Sequence, residues 1–336
     1  MASAARDLID IHTHVVPENF PVYLGRNLNV PWPSMASAQA CHRHVMVSGS
    51  VYRTVSHQCW DCQVRLGDMD KKRVARHVLS PMPELLSYWF DADDGSAMCR
   101  YLNETIAAMV ASDPKRFTGL AAVPLQDLDA AIRELDFALH QLKLAGVEIG
   151  TNVNGVPIGD PRFEPFFAAA AKWGAAIFVH PIRPAGVDRL VGPASLQPAV
   201  AFPGETGLAA ASMISGGTLA KHPSLRIAYS HGGGTFASLL PRFQFAWETF
   251  PDLRQSIAIE PRTAARCMYY DSLVYDATTI RHLMKVFGET QVMVGTDYPF
   301  SIMDPDPAGR IDALELDDAT RDLVCADNAR RWLAID

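Results

Sequence analysis

After a short polar lead the chain reads Ile9-Asp10-Ile11-His12-Thr13-His14, an apolar run that delivers two histidines two residues apart. On an extended strand residues i and i+2 face the same side, so both imidazoles project together and can reach one ion. A His-x-His pair alone is equally what a solvated strand end looks like. Three later apolar runs close in the same way. Ala176-Ile177-Phe178-Val179-His180 ends in histidine, as does Arg226-Ile227-Ala228-Tyr229-Ser230-His231, and Val292-Met293-Val294-Gly295-Thr296-Asp297 ends in aspartate. Apolar runs that each deliver His or Asp at the C-terminal end are not explained by solvated loops. Imidazole and carboxylate donors suit Zn²⁺, and Mn²⁺ or Fe²⁺ accept the same ligand types. A catalytic zinc keeps one position open for water and lowers that water's pKa to about 7.

These residues need elements that bring them together. Strand-like runs are expected at 8–11, 76–80, 117–123, 146–150, 175–179, 225–230, 267–270 and 291–295. They alternate with helical patterns at 66–72, 96–111, 127–143, 162–173, 205–219, 235–250, 276–287 and within 317–333. In 127–143 the apolar positions Leu128, Ala131, Ile132, Leu135, Ala138, Leu139 and Leu142 form one helical stripe, with Asp127 or Asp129 as the cap. Strands alternating with helices in this way imply an α/β (β/α)8 TIM barrel. A doubly wound open sheet is the alternative, but no glycine-rich phosphate fingerprint follows strand one. In a parallel barrel, strand C-termini share one mouth, so His12, His14, His180, His231 and Asp297 should converge there. The extra length lies at about 16–62, read as a long irregular segment inserted after strand one, of a length that is usually functional or forms a small subdomain. The chain is expected to form a single barrel domain over 1–336.

The 336 residues are 49% hydrophobic and 20% charged, enough apolar content for a sizeable core. A net charge of −7 gives no basic footprint for nucleic acid. Neither a signal peptide nor a membrane-spanning run is read, so the expected location is cytoplasmic, with no membrane partner. The cysteines at 41, 59, 62, 99, 267 and 325 do not form a disulfide pattern. Cys59-Trp60-Asp61-Cys62, near Cys41, His42, His44 and His57, has no zinc-module spacing and reads as free thiols and loop histidines. Surface or structural roles are expected for His42, His44, His57, His77, His140, His222 and His282.

The motifs His12-Thr13-His14, Val179-His180-Pro181, Ser230-His231-Gly232-Gly233-Gly234 and Gly295-Thr296-Asp297-Tyr298-Pro299-Phe300 resemble the metal-dependent decarboxylase branch of the amidohydrolase superfamily. So do Pro124-Leu125-Gln126-Asp127, Met69-Asp70 and Tyr52-Arg53 with Trp60-Asp61, and the likeness covers nearly the whole barrel. The resemblance implies one Zn²⁺ per chain held by His12, His14, His180 and Asp297, with His231 as the acid/base beside it. Asp297 lies within reach to orient that imidazole. Strand four ends in Glu148-Ile149-Gly150, with no lysine of the kind that bridges two metals in binuclear relatives, which favours a single ion.

The resemblance further implies a carboxy-lyase acting on a carboxymuconate semialdehyde or close analogue in aromatic catabolism. Such an anionic substrate calls for planar guanidinium groups. Arg53 and Arg242 match the family's carboxylate clamps, the second reaching across from another subunit, which implies a homodimer. A hydroxybenzoate decarboxylase of the same family and a metal-dependent lactone or amide hydrolase are the competing readings. The full His-x-His argues mildly against the first; the missing strand-four lysine and the paired arginines argue against the second. The segment 183–203 should line the mouth and vary with the substrate.

Overall fold

The computed structural model describes residues 8–27 and 29–335. Along the chain the strands are β1 (Ile9–Val15), β2 (Ser34–Ser37), β3 (His42–Val47), β4 (Ser50–Ser56), β5 (Arg76–Pro81), β6 (Phe117–Ala121), β7 (Gly146–Gly150), β8 (Asn152–Val153), β9 (Val156–Pro157), β10 (Ala176–His180), β11 (Arg226–Tyr229), β12 (Tyr269–Asp271) and β13 (Val292–Met293). Eight of them pair in the order β1-β5-β6-β7-β10-β11-β12-β13, every pairing parallel. The two ends of this sheet meet. Ile11 N donates to Val294 O at 2.9 Å, Asp297 N to His12 O at 2.8 Å and His14 N to Tyr298 O at 2.7 Å. The result is the (β/α)8 barrel expected from the alternation, with helices between the strands.

Two apolar layers hold it. Ile9, Ile11, Val78, Leu120, Phe178, Ala228 and Met293 fill the interior, and Trp332 from the last helix packs with them. Leu79, Val147, Ile149, Ile177, Val179 and Ile227 face outward against the helices. The first strand runs on to Val15, past the expected end at residue 11, and its register against β5 shifts between Asp10 and Thr13. Two residues of β1, Ile11 and His12, there oppose one of β5, Val78. Such a bulge re-aims the side chains that follow it. It lets Ile9 and Ile11 pack in the interior while His12 and His14 both reach the same mouth.

The segment after β1 is not irregular throughout. β2, β3 and β4 form an antiparallel sheet, with the β3–β4 turn at Ser48 and Gly49, both at positive φ (51° and 77°). Gly tolerates that conformation without a Cβ penalty. Elsewhere element boundaries moved. The first helix starts at Cys62 rather than residue 66, because the Asp61 carboxylate accepts the amide hydrogens of Gln63 and Val64 at 2.8 and 3.2 Å. Asp127 caps Leu128–His140 as expected, accepting from Ala130 N at 2.9 Å. The expected helix at 205–219 is Phe202–Ser215 followed by a separate turn Thr218–Lys221, the break falling at Gly216-Gly217. No helix among the described residues is long and apolar enough to cross a membrane.

Candidate metal centre

β1 brings His12 and His14, β10 brings His180, and the turn after β13 brings Asp297. One donor atom from each lies within 4.8 Å of all the others, and all four residues are buried. His12 Nε2 is 3.1 Å from His14 Nε2, and Asp297 Oδ1 is 3.0 Å from His14 Nε2 and 3.6 Å from His12 Nε2. Each imidazole is oriented from behind. His14 Nδ1 lies 3.1 Å from the Pro81 carbonyl and His180 Nδ1 lies 3.0 Å from the Pro181 carbonyl, both acceptors. An Nδ1–H donor toward these oxygens leaves each Nε2 lone pair aimed at the cluster. His12 Nδ1 faces Asp271 Oδ2 at 2.7 Å.

The electrostatics fit a cation. Burial opposes charge on His12, but the Asp271 hydrogen bond and then Asp297 outweigh it and raise the group to about 9. Burial keeps His180 well below the usual imidazole range, helped by its neighbour His14, and it also lowers His14. Burial disfavours ionised Asp297 too, yet the His14 contact and the charge of His12 hold it below its ordinary value. His180 Nε2 and Asp297 Oδ1 are buried with no hydrogen-bond partner. Such atoms are costly unless something meets them. Three imidazoles and one carboxylate around a single point form the donor set of a mononuclear divalent-metal site, and the orphaned atoms are among its donors.

His231 stands beside this group rather than in it. Its ring centroid is 5.4 Å from that of His12 and 5.2 Å from that of His180. Burial, then the charge of His12, pushes it down to about 4. Its Nδ1 is 3.2 Å from Ser230 Oγ, and no ion pair with Asp297 is present among the described residues. The Asp297 Oδ1 faces His12 and His14, and the charge of Asp297 is felt at His231. His231 and the three glycines after it all have positive φ, between 55° and 74°. A run of left-handed residues folds the chain back at the strand end, and only glycine does this cheaply.

A cavity of about 850 Å³ opens above the cluster, lined by His180, His231, Asp297, Arg53, Glu84 and Phe300 among others. Arg53 reaches it from the inserted sheet. On β4 the residue pairs with buried Val45, and a bulge at Tyr52 sets the register that turns Arg53 inward. Its guanidinium lies 4.5 Å from the centroid of Phe300, whose other neighbour is the His14 ring, stacked at 5.1 Å. Ser195, Pro198, Ala199 and Phe202 of the segment after β10 line the same cavity, as expected. Arg242 does not. It lies exposed on the helix Phe236–Thr249, outside its own chain's cavity.

Several participants escaped the sequence reading. Asp271 ends β12, one residue past the expected strand, and repeats the pattern of an apolar strand closing on His or Asp. Asp10 accepts from His12 N and Thr296 N, both at 3.1 Å, and from Thr296 Oγ1 at 2.5 Å, tying the two ligand-bearing strand ends together. Arg65 is fully buried; its guanidinium donates to the His14 carbonyl and lies over the Tyr298 ring. Glu148 is buried 3.7 Å from His14 Nδ1, and burial lifts its carboxyl to about 8. His77, expected in a surface or structural role, is buried on β5, because that strand passes through the interior. His42 lines the outer cavity. Cys59 and Cys62 join no metal-binding group among the described residues.

A family model described as amidohydrolase matches residues 9–335. The chain is 35% identical over 331 residues to a 2-amino-3-carboxymuconate-6-semialdehyde decarboxylase of Dictyostelium discoideum, covering 98% of this chain and 92% of that protein. A 5-carboxyvanillate decarboxylase structure from Sphingomonas paucimobilis superposes with a TM-score of 0.77 at 28% identity, covering 83% of this chain and 85% of the other. A second 5-carboxyvanillate decarboxylase, from Novosphingobium aromaticivorans and complexed with manganese and a nitrobenzoic acid, shares the fold with a TM-score of 0.72 at 22% identity, covering 83% and 82%. With the barrel, the buried His/Asp cluster and these likenesses in agreement, the chain belongs to the amidohydrolase family, as a carboxy-lyase of its metal-dependent decarboxylase branch.

Proposed function

We propose that the chain is a zinc-dependent, non-oxidative decarboxylase of a carboxymuconate semialdehyde or a close analogue formed by aromatic ring cleavage. The carrying observation is the shared cavity, in which a guanidinium, Arg53, and an imidazole, His231, both face the four-donor cluster. Near-full-length similarity to an aminocarboxymuconate semialdehyde decarboxylase supports the substrate class.

In this reading His12, His14, His180 and Asp297 hold the ion, which supplies Lewis acidity for a carboxylate or a water when bound. Arg53 grips a substrate carboxylate with its planar fork, and Phe300 stiffens that grip from below. The carbon bearing the leaving carboxylate first becomes sp³, either by taking a proton or by water adding beside it, and as CO₂ departs the pair of the broken bond restores the double bond. His231 handles the proton that ends on carbon, and its burial keeps the imidazole neutral at rest, able to take up that proton and pass it on. Arg242 supplies a second clamp to the cavity of another copy, making the active unit a homodimer. Its exposed position beside the apolar side chains Leu239 and Phe245, three residues to either side on the same helix face, supports that role.

A hydroxybenzoate-type decarboxylase is the second reading, favoured by the structural likeness to a 5-carboxyvanillate decarboxylase. One assay separates the two. Purified, metal-loaded protein is given 2-amino-3-carboxymuconate semialdehyde, 2,6-dihydroxybenzoate and 5-carboxyvanillate, and CO₂ release is measured. Turnover of the semialdehyde at least tenfold above the aromatic acids is expected. Turnover confined to an aromatic acid would overturn the first reading. Metal reconstitution with Zn²⁺ and with Mn²⁺ in parallel tests the choice of ion.

A further inference from the structure

The Asp271 carboxylate divides its two oxygens between two pieces of the site. Oδ2 faces His12 Nδ1 at 2.7 Å. Oδ1 accepts from Gly232 N at 2.8 Å and from Leu273 N at 3.1 Å. Asp271 is buried, with neither oxygen free to exchange its partner for water. Gly232 directly follows His231 in the left-handed run, whose flanks are tied elsewhere, Ser230 N to Val179 O at 3.1 Å and Thr235 N to Pro203 O at 3.0 Å. Gly233 N bonds back to Ser230 O at 3.1 Å and Gly234 N to His231 O at 2.8 Å, both contacts internal to the turn. The bond from Gly232 to Asp271 ties this turn to the neighbouring strand.

We propose that Asp271 is a positioning residue that couples occupancy of the metal site to the placement of His231. The inference rests on His12 being a ligand. With Oδ2 accepting from Nδ1–H, His12 is held as the tautomer whose Nε2 lone pair points into the cluster. The same carboxylate holds the amide next to the acid/base residue. Whatever pulls His12 toward an ion therefore acts on the Gly232 anchor through one rigid group. Coupling of this kind is reciprocal: metal binding steadies the His231 turn, and loosening the turn weakens the metal.

Only a carboxylate can serve both partners. Each needs an acceptor, and an aspartate offers two acceptor oxygens. An asparagine offers one acceptor and one donor. If its oxygen turns to Gly232, its NH₂ meets His12 Nδ1 and forces the proton onto Nε2, where it blocks the lone pair. If its oxygen turns to His12, its NH₂ faces the Gly232 N–H, and the turn loses its anchor. Asp271→Asn is thus nearly isosteric, yet must break one link.

Two readouts independent of turnover test this. The first is metal affinity, from competition with a chromogenic chelator. The second is hydrogen exchange of peptides spanning residues 230–235, with and without Mn²⁺ or Zn²⁺. In the wild type, adding metal should slow exchange of that segment. In Asp271→Asn, metal affinity should fall by about ten- to a hundredfold, as for other groups that orient a metal-bound histidine. At saturating metal the 230–235 segment should stay less protected than in the wild type, and kcat should drop with KM little changed. Wild-type affinity, to within threefold, together with wild-type protection would overturn the coupling. Should the variant not fold, the wild type alone decides, since metal that binds without slowing exchange at 230–235 also overturns it. A wild type that binds no metal at all would instead remove the assignment of His12 as a ligand.

Discussion

Gly295 sits where the strand ends that bear Asp297, His12 and Asp271 come close together. A Cβ placed there would lie 2.7 Å from the Asp271 Cβ and 2.9 Å from the His12 Cβ. Ordinary carbon contacts sit at about 3.5–4.0 Å, so the strands carrying these residues would have to part by roughly 1 Å. Neither neighbour can swing away, because a Cβ is fixed by its own backbone. Gly295→Ala should therefore cost about 1–3 kcal/mol of stability, as overpacking of a close-packed interior does. At this chain length that is a few degrees of melting temperature. The larger effect should fall on the metal. Displacing His12 from the common point of the four donors should weaken binding about tenfold or more. Each tenfold removes about 1.4 kcal/mol of the stabilisation that saturating metal confers. The assay is thermal unfolding of wild type and variant, each stripped of metal and then reloaded, with chelator competition alongside. The gap between the two proteins should widen when metal is present. Gly204→Ala is the matched control. It lies in the helix Phe202–Ser215, and its added Cβ meets nothing within 4 Å. It should be neutral or gain about 0.4–1 kcal/mol. If Gly295→Ala matched the control in melting temperature and metal affinity, the reasoning from steric proximity would be refuted.

Other outcomes can be stated. His231→Ala should keep its metal while losing turnover by about 10²–10⁴-fold, the usual contribution of a general acid/base; loss of the metal from this variant, with Asp297→Ala retaining it, would exchange the two roles. Arg53→Ala should lose about 1.5–3 kcal/mol of substrate interaction, roughly ten- to a hundredfold in kcat/KM, with Arg53→Lys recovering only part because it lacks the planar fork; full activity in Arg53→Ala would place the clamp elsewhere. Mixing inactive Arg242→Ala with inactive His231→Ala subunits should restore part of the activity, because a mixed dimer holds one site with neither defect. No recovery under proven subunit exchange would confine Arg242 to its own chain or to no site. Replacing His12 and His180 together by alanine should abolish metal uptake, measured by elemental analysis.

The chemistry was legible because it sits at strand ends. Apolar runs closing on His12/His14, His180, His231 and Asp297 combine a burial pattern with a polar terminus, and the barrel gives every such terminus the same destination. Asp271 carried the same signature but ended a strand of only three residues, too short for period to mark its end. The inserted sheet was missed for a different reason. Its strands are mostly half-exposed and rich in Ser, His and Arg, so hydrophobic alternation is faint. The Ser48-Gly49 turn between Val47 and Ser50 was the available signal. Arg65 and Glu148 were hidden because charge normally marks a surface; their burial follows from tertiary packing against His14 that no local pattern records.

The placement of Arg53 on the inserted sheet, away from the barrel that bears His12, His14, His180, His231 and Asp297, has an evolutionary consequence. In the proposed function the metal-side groups and the carboxylate clamp therefore lie on different sheets, although Val45 and Val55 of the inserted sheet share the barrel's apolar core. The ring of Phe300 lies between Arg53 and His14 and touches both sides. Lengthening, shortening or re-registering the hairpin around Tyr52 can therefore retune which acids are accepted without disturbing a ligand. Drift in specificity should accumulate between β1 and β5, while the barrel mouth stays nearly fixed. Phe300 is the exception: a change there reaches both sides at once, and so should be tolerated least.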